Sequence, residues 1–140
     1  MKNLWNSKTL IIVSASVLAL FAVSATAINT WIRSDVKKNI NIAQQMYPGT
    51  AEEAVISFLL DEKNSFHDRT HIAVWTLGML KSEKALPILR SYYKNDPKGL
   101  TCHEKHDQMI CQYGLLKAIV QIENRFQYST WDLNKKCLSD

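Results

Sequence analysis

The chain has 140 residues, of which 46% are hydrophobic and 21% are charged, and its formal net charge is +4. With only 4 glycines and 3 prolines, the composition excludes collagen-like and low-complexity chains, and the length leaves room for one small domain. Lys2 and Lys8 lie near the N-terminus, so 15 of the 17 basic residues remain to face 13 acidic residues in the rest of the chain. This near balance predicts no nucleic-acid partner.

A basic flank, residues 1–8, precedes an uncharged segment at residues 9–32. Within that segment residues 10–28 are almost entirely apolar, and at ~1.5 Å per helical residue such a run matches a hydrocarbon core of ~30 Å. Trp5 and Trp31 bracket the run, as aromatic side chains do at the two membrane interfaces. We therefore predict that the chain contacts a membrane through residues 10–28.

Two interpretations of this segment compete. The triplet Ala25-Thr26-Ala27 has the small-x-small form of a signal-peptide cleavage site, which predicts a periplasmic or secreted protein cut near Ala27. Against cleavage, the helical pattern continues past Ala27, because apolar residues recur every three or four positions until Pro48-Gly49. These residues are Ile28, Ile32, Val36, Ile40 and Ala43. An uncleaved anchor, residues 9–32, followed by an amphipathic stalk helix, residues 33–48, is the simpler prediction.

The charges that flank the segment predict its orientation. Lys2, Lys8 and the terminal amine lie on one side, whereas the other side has three basic residues offset by Asp35. The slight excess favours a cytoplasmic N-terminus. The expected location is therefore the inner (cytoplasmic) membrane, crossed once, with the folded part on the exported side. The three basic residues are Arg33, Lys37 and Lys38.

The rest of the chain is predicted to be all-α, with a folded domain at residues 50–124 and a C-terminal tail at residues 125–140. Thr50 and Glu53 form a capping box that opens a helix over residues 51–60. Ser65 starts a second helix and Ser82 a third, with Pro87 near its beginning. A fourth helix is expected from about Asp107 to Asn124. No stretch alternates with the period of a strand.

Two of these helices share a pattern. Residues 73–80 and residues 115–122 both read apolar-x-x-small-aliphatic-x-x-aliphatic, at an offset of 42 residues. That offset lies in the range of two-helix solenoid repeats, in which each helix pair must stack on a neighbour to bury its apolar face.

Residues 68–93, DRTHIAVWTLGMLKSEKALPILRSYY, resemble the HEAT-like repeat of the phycobilisome-lyase type. The signature positions are Arg69, Ala73, Leu77, Gly78, Ala85, Leu86, Pro87 and Leu89. The resemblance implies antiparallel helix pairs that mediate protein–protein contacts and, in one branch of the superfamily, handle bilin chromophores. Cys111 stands where the arginine of the next repeat is expected. So few repeats seldom close a core, so something else must complete the stack. The candidates are a capping helix at residues 51–60, a cross-link, a partner protein, or the tail with Phe126, Tyr128 and Trp131.

Three cysteines, Cys102, Cys111 and Cys137, occur in the chain. In an exported domain we expect a disulfide between Cys102 and Cys111. The alternative is a zinc site built from Cys102, His106, Cys111 and either His103 or Cys137, since thiolates and imidazoles suit tetrahedral zinc. Cys137 is left as a free thiol, a link between two chains in a dimer, or a substitute partner for one of the other two.

No phosphate-binding loop, nucleophile elbow or C-x-x-C motif occurs, and His67 and His71 form only an isolated pair at helical spacing. The expected function is therefore not enzymatic and needs no cofactor. We predict a membrane-tethered scaffold that contacts another envelope protein. The alternative is a small metal- or chromophore-binding module centred on Cys102, His103, His106 and Cys111, with zinc as the metal.

Overall fold

The computed structural model describes residues 7–102, 105 and 107–123, and these residues contain helices but no strand. The helices are α1 (Ser7–Met46), α2 (Ala51–Leu60), α3 (Phe66–Asp68), α4 (Trp75–Leu80), α5 (Leu86–Tyr92) and α6 (Gln112–Ile122). The predicted fold class is thus confirmed: an apolar N-terminal helix is followed by shorter helices. The chain divides into two units, whose boundary lies inside α1 between Asp35 and Val36.

The first unit presents apolar side chains all around the helix. Leu18 and Phe21 are 70% and 75% exposed, and the apolar stretch buries none of its surface within the chain. Its polar interruptions bond to the helix itself. Ser14, Ser16 and Ser24 donate to backbone carbonyls three or four residues earlier, at 2.8–3.0 Å. The helix is long and apolar enough to cross a membrane, although a signal sequence shares these properties.

In the second unit, α2, α3 and the 3-10 turn before α5 begin at caps that the sequence predicts. Thr50 and Glu53 form both halves of the capping box at the start of α2. Ser65 accepts the Asp68 amide at 3.0 Å, and Ser82 accepts the Ala85 amide at 3.1 Å. Each of these bonds satisfies an amide that the first turn of the helix leaves without a partner.

The second and third helices differ in detail from the prediction. The second is one helical run over residues 66–80, in which α3 and α4 are joined by a π-helical segment, Arg69–Val74. It ends at Lys81, whose φ of 52° is left-handed. A 3-10 turn, Glu83–Ala85, then leads into α5, and Pro87 lies in its first turn as expected.

The fourth helix begins later than predicted. It starts at Gln112, rather than at about Asp107, because Cys111 is extended with a ψ of 118°. The Cys111 amide donates to the Thr70 hydroxyl instead of joining a helical ladder. Ile110, expected on this helix, is nevertheless buried in the core.

Contacts at both ends of the helices establish their directions. Ser82, after α4, donates to Glu52 at the start of α2, and Arg69 donates to the carbonyl of Leu59 at the end of α2. The run 66–80 is therefore antiparallel to α2. It is parallel to α6, because Thr70 contacts Cys111 before α6 and Gly78 lies against Ala118 within it.

The end of α1 belongs to the core of the second unit. Ala43 is completely buried, Ile40 and Ile42 pack against the same cluster, and Asn39 donates to the Thr76 hydroxyl at 3.1 Å. The end of the predicted stalk, from Val36 onward, therefore adds side chains to this core and contacts the run 66–80. This contribution was missing from the sequence-based candidates, although the apolar spacing through Ile40 and Ala43 was its signal.

Candidate functional site

The loop between α5 and α6 positions the first cysteine through a tight turn at Gly99. The backbone there has a φ of +65°, a region that side chains disfavour, and an added Cβ would lie 3.1 Å from the Tyr113 Cβ. Asp96 accepts two amides of the turn, that of Gly99 on its carbonyl and that of Leu100 on its carboxylate. A 3-10 turn, Leu100–Cys102, follows and carries the Cys102 side chain into the interior.

The second cysteine lies at the N-cap of α6. Its amide donates to the hydroxyl of Thr70, a buried residue of the π-helical segment, at 3.1 Å. This bond joins the loop to the run 66–80 and fixes where α6 begins. The Cys111 side chain is half-buried, whereas Cys102 is only 2% exposed.

The structure brings the two sulfur atoms together, at a Cys102 Sγ to Cys111 Sγ distance of 3.3 Å. Both residues are free thiols in it, so it contains the expected neighbours but not the expected bond, and the disulfide stays a prediction. Cys102 Sγ also lies 3.2 Å from the Gly99 carbonyl oxygen, and it accepts the Gln112 amide at 3.3 Å. The buried sulfur therefore has three hydrogen-bonding contacts: the Cys111 sulfur, the Gly99 carbonyl and the Gln112 amide.

Burial raises the pKa of the Cys111 thiol above its ordinary value. The backbone amides of Gly114 and Tyr113, at the start of α6, act in the opposite direction, but burial and the neighbouring Cys102 outweigh them. The thiol form is therefore favoured at neutral pH, and a reaction that needs the thiolate becomes faster as the pH rises.

Gln112 holds the loop closed, a role the sequence did not reveal. Its side chain is 2% exposed, accepts the Lys94 amide at 2.7 Å, and donates to the carbonyls of Tyr92 and Ile110 at 3.2 and 3.3 Å. One amide side chain therefore ties both ends of the loop to α6. Its partners lie up to twenty residues away in the chain, so the local sequence could not predict this role. The only indication in the sequence was a glutamine on an otherwise apolar helix.

Among the residues of the repeat signature, Arg69 is buried at the start of the run 66–80. Its Nε donates to the Leu59 carbonyl at 2.7 Å and its Nη2 to the Tyr92 hydroxyl at 3.1 Å. Its guanidinium also lies 5.5 Å from the ring centroids of Phe66 and Tyr92. Arg69 thus connects α2 to the end of α5. This arrangement is structural, since all its described contacts lie within the core.

The other signature residues lie mostly in the helix interfaces. Ala73, Leu77, Ala85 and Leu89 are fully buried, Gly78 is buried, Leu86 is half-buried, and Pro87 is exposed. Gly78 allows a close approach between α4 and α6. A Cβ added there would lie 2.9 Å from the Ala118 Cα and 2.6 Å from the Gln121 Oε1.

The alternative metal site falls partly outside the described residues. His103, His106 and Cys137 lie there, as do the tail residues proposed as a cap, so only Cys102 and Cys111 of that set can be placed. Among the residues that the structure describes, no three His, Cys, Asp or Glu side chains are grouped to hold a metal ion. His67 and His71 stack with ring centroids 4.3 Å apart.

Comparison of the chain with protein-family models, with curated proteins and with solved structures found no match. The HEAT-like resemblance of residues 68–93 is therefore carried by their sequence pattern alone.

Proposed function

We propose that this protein is a membrane-tethered, exported helical scaffold that mediates protein–protein contact and carries out no catalysis. One observation carries the tether: α1 exposes apolar side chains on every side between Leu10 and Ile28 and buries none of that stretch within the chain. Apolar surface in water is unfavourable by about 25 cal/mol per Å², so the helix is stable where lipid surrounds it.

The hydrogen bonds within α1 support the same proposal. A hydroxyl in lipid needs a partner, because no water is available in the bilayer core. Ser14, Ser16, Ser24 and Thr26 all donate to carbonyls of their own helix, so none requires a partner from outside. The polar interruptions of the segment are therefore compatible with a membrane.

The scaffold part of the proposal rests on the repeat resemblance and on how the two matching segments meet. Residues 73–80 and 115–122, which share one sequence pattern, lie on parallel helices that touch through Gly78 and Ala118. Parallel contact between equivalent helices is what stacked helix pairs require. With no catalytic motif in the sequence, we infer that the domain presents its helices to another envelope protein.

Membrane extraction of matched variants tests the tether. Leu18→Arg combined with Phe21→Arg places two charges near the centre of the run, at a cost of about 5 to 7 kcal/mol of insertion free energy. Leu100→Arg is the matched control, since Leu100 and Leu18 are equally exposed, at 70%, but Leu100 lies in the loop before α6. We expect alkaline carbonate to release the double variant and to leave the wild type and the control in the membrane. Release of the wild type would contradict the tether.

The same membranes test sidedness and partner contact. Protease added to intact spheroplasts should digest residues 50–124, and an intact mass retaining residues 1–27 should show that the segment is not cleaved. A domain protected until lysis would refute export, and loss of residues 1–27 would favour the secreted alternative. Chemical cross-linking in these membranes should map to residues 50–124. A domain that cross-links to no other protein would contradict the scaffold.

A further inference from the structure

Cys102 and Cys111 differ in access although their sulfur atoms are neighbours. The Cys102 side chain is 2% exposed and lies behind Gly99, whereas Cys111 is half-buried at the N-cap of α6. Cys111 is therefore the more accessible of the two thiols to a disulfide reagent in solvent. The two thiols form a pair with one accessible and one internal member.

We propose that this pair is a site of oxidation by thiol–disulfide exchange, in which Cys111 first attacks the oxidant and Cys102 then resolves the mixed disulfide. The oxidant is an accessible disulfide, whether of a small thiol such as glutathione or of an exported oxidoreductase. The proposal rests on the proposed function only for its compartment, because an exported domain meets such disulfides. The pairing itself rests on the geometry of the loop.

The exchange proceeds in two balanced steps. Cys111 loses its proton, and its sulfur attacks one sulfur of the oxidant, which forms a mixed disulfide and expels the first thiolate. Cys102 then loses its proton and attacks the Cys111 sulfur, which expels the second thiolate. The two protons leave with the two thiols produced, so the oxidant is reduced and the two cysteines are joined.

The surroundings of Cys102 favour the second step. Its sulfur lies 3.3 Å from the Cys111 sulfur, so an approach of only about 1.2 Å brings it to bonding distance. The Gln112 amide donates to the Cys102 sulfur at 3.3 Å and holds that sulfur beside Cys111.

The test uses the full chain in detergent micelles, with Cys137→Ser as the background and oxidised glutathione as the probe. We expect the background protein to become two hydrogens lighter and to retain no glutathione. Cys102→Ser should accumulate a stable mixed disulfide with glutathione on Cys111. Cys111→Ser should form none unless the protein is denatured. Peptide mapping of the adduct identifies the cysteine that was modified.

Three results would overturn the proposal: equal modification of Cys102 in the Cys111→Ser protein, a lasting adduct on Cys111 while Cys102 is present, or no oxidation at all. Cys111→Ala and Cys102→Ala, checked by circular dichroism, separate loss of the thiol from loss of the fold. Because the assay needs no membrane, its failure would leave the tether intact. Likewise, a carbonate-extraction result that contradicts the tether would not bear on the proposal for this cysteine pair.

Discussion

Replacing Gly78 with alanine tests whether the close contact between α4 and α6 holds the domain together. The added methyl group would lie 2.9 Å from the Cα and 3.1 Å from the Cβ of Ala118, well inside the usual carbon–carbon separation of about 3.5 to 4.0 Å. It would also lie 2.6 Å from the Gln121 Oε1, but that side chain is exposed and can rotate away. The backbone of α6 cannot rotate away, so the two helices must separate.

The size of the effect follows from two opposing terms. Overpacking a core contact costs about 1 to 3 kcal/mol, whereas alanine is better than glycine in a helix by about 0.5 to 1 kcal/mol. Gly78→Ala should therefore lower the free energy of unfolding by about 1 kcal/mol, and by no more than about 2.5 kcal/mol. Gly114→Ala is the matched control, because its Cβ would have ordinary contacts, 3.4 Å from Thr70 Cγ2 and 3.8 Å from Cys111 Cβ. That variant should be neutral or gain up to about 0.5 kcal/mol.

Urea unfolding of the full chain in a non-ionic detergent, followed by circular dichroism, measures both variants. Adding Gln121→Ala to Gly78→Ala separates the two neighbours: the double variant should stay destabilised, because the backbone of Ala118 still blocks the methyl group. The reasoning is refuted if Gly78→Ala is as stable as Gly114→Ala. Full recovery in the double variant would show that the glutamine side chain, rather than the helix contact, was the obstacle.

Two further predictions concern polar groups of the second unit. Arg69→Lys should lower the free energy of unfolding by about 1.5 to 3 kcal/mol, because the Arg69 side chain is buried and its bonds to a carbonyl and a hydroxyl need the guanidinium fork. Arg90→Lys is the control, because the Arg90 side chain is 58% exposed where it pairs with Glu123, and it should change the free energy by less than about 1 kcal/mol in the same unfolding assay. Equal effects of the two substitutions would contradict the buried role of Arg69. The Tyr47 hydroxyl donates to Asp61 at 2.7 Å and so lowers the pKa of that carboxyl. The hydrogen bond therefore stabilises the folded domain fully above the ordinary carboxyl pKa, about 4, and this stabilisation is lost as the pH falls below that value. Tyr47→Phe should therefore destabilise the domain at neutral pH and less so in acid, and a pH-independent loss would show that packing alone is involved.

The parts of the fold that the sequence predicts are those held by local contacts. Thr50 and Glu53, or Ser65 and Asp68, are three residues apart, so a capping pair is visible in any short window of sequence. The same holds for Pro87, which restricts only the turn that contains it. Helix starts of this kind follow from residue identity, since no distant residue is needed to satisfy the amides.

The parts that the sequence did not predict depend on distant partners. The start of α6 is set by Thr70, 41 residues before Cys111, and the loop before it is closed by Gln112. Apolar periodicity through Ile110 suggested a longer helix because periodicity reports burial, and Ile110 is indeed buried without being helical. Predicting this loop needs the tertiary contact that competes with the helical ladder.

The two contacts that join the run 66–80 to α6 act at opposite ends of the pair. The Thr70 hydroxyl accepts a hydrogen bond from the Cys111 amide just before the first turn of α6, and Gly78 packs against Ala118 two turns later. A disulfide at Cys102 would add to the first contact only, because it closes a ten-residue loop that ends where α6 begins. In the chain-entropy description, such a closure stabilises the domain by about 2.5 to 3 kcal/mol through the unfolded state. The disulfide would contact neither α4 nor the end of α6. Oxidation should therefore stabilise the loop, while the contact at Gly78 continues to determine how the run 66–80 packs against α6.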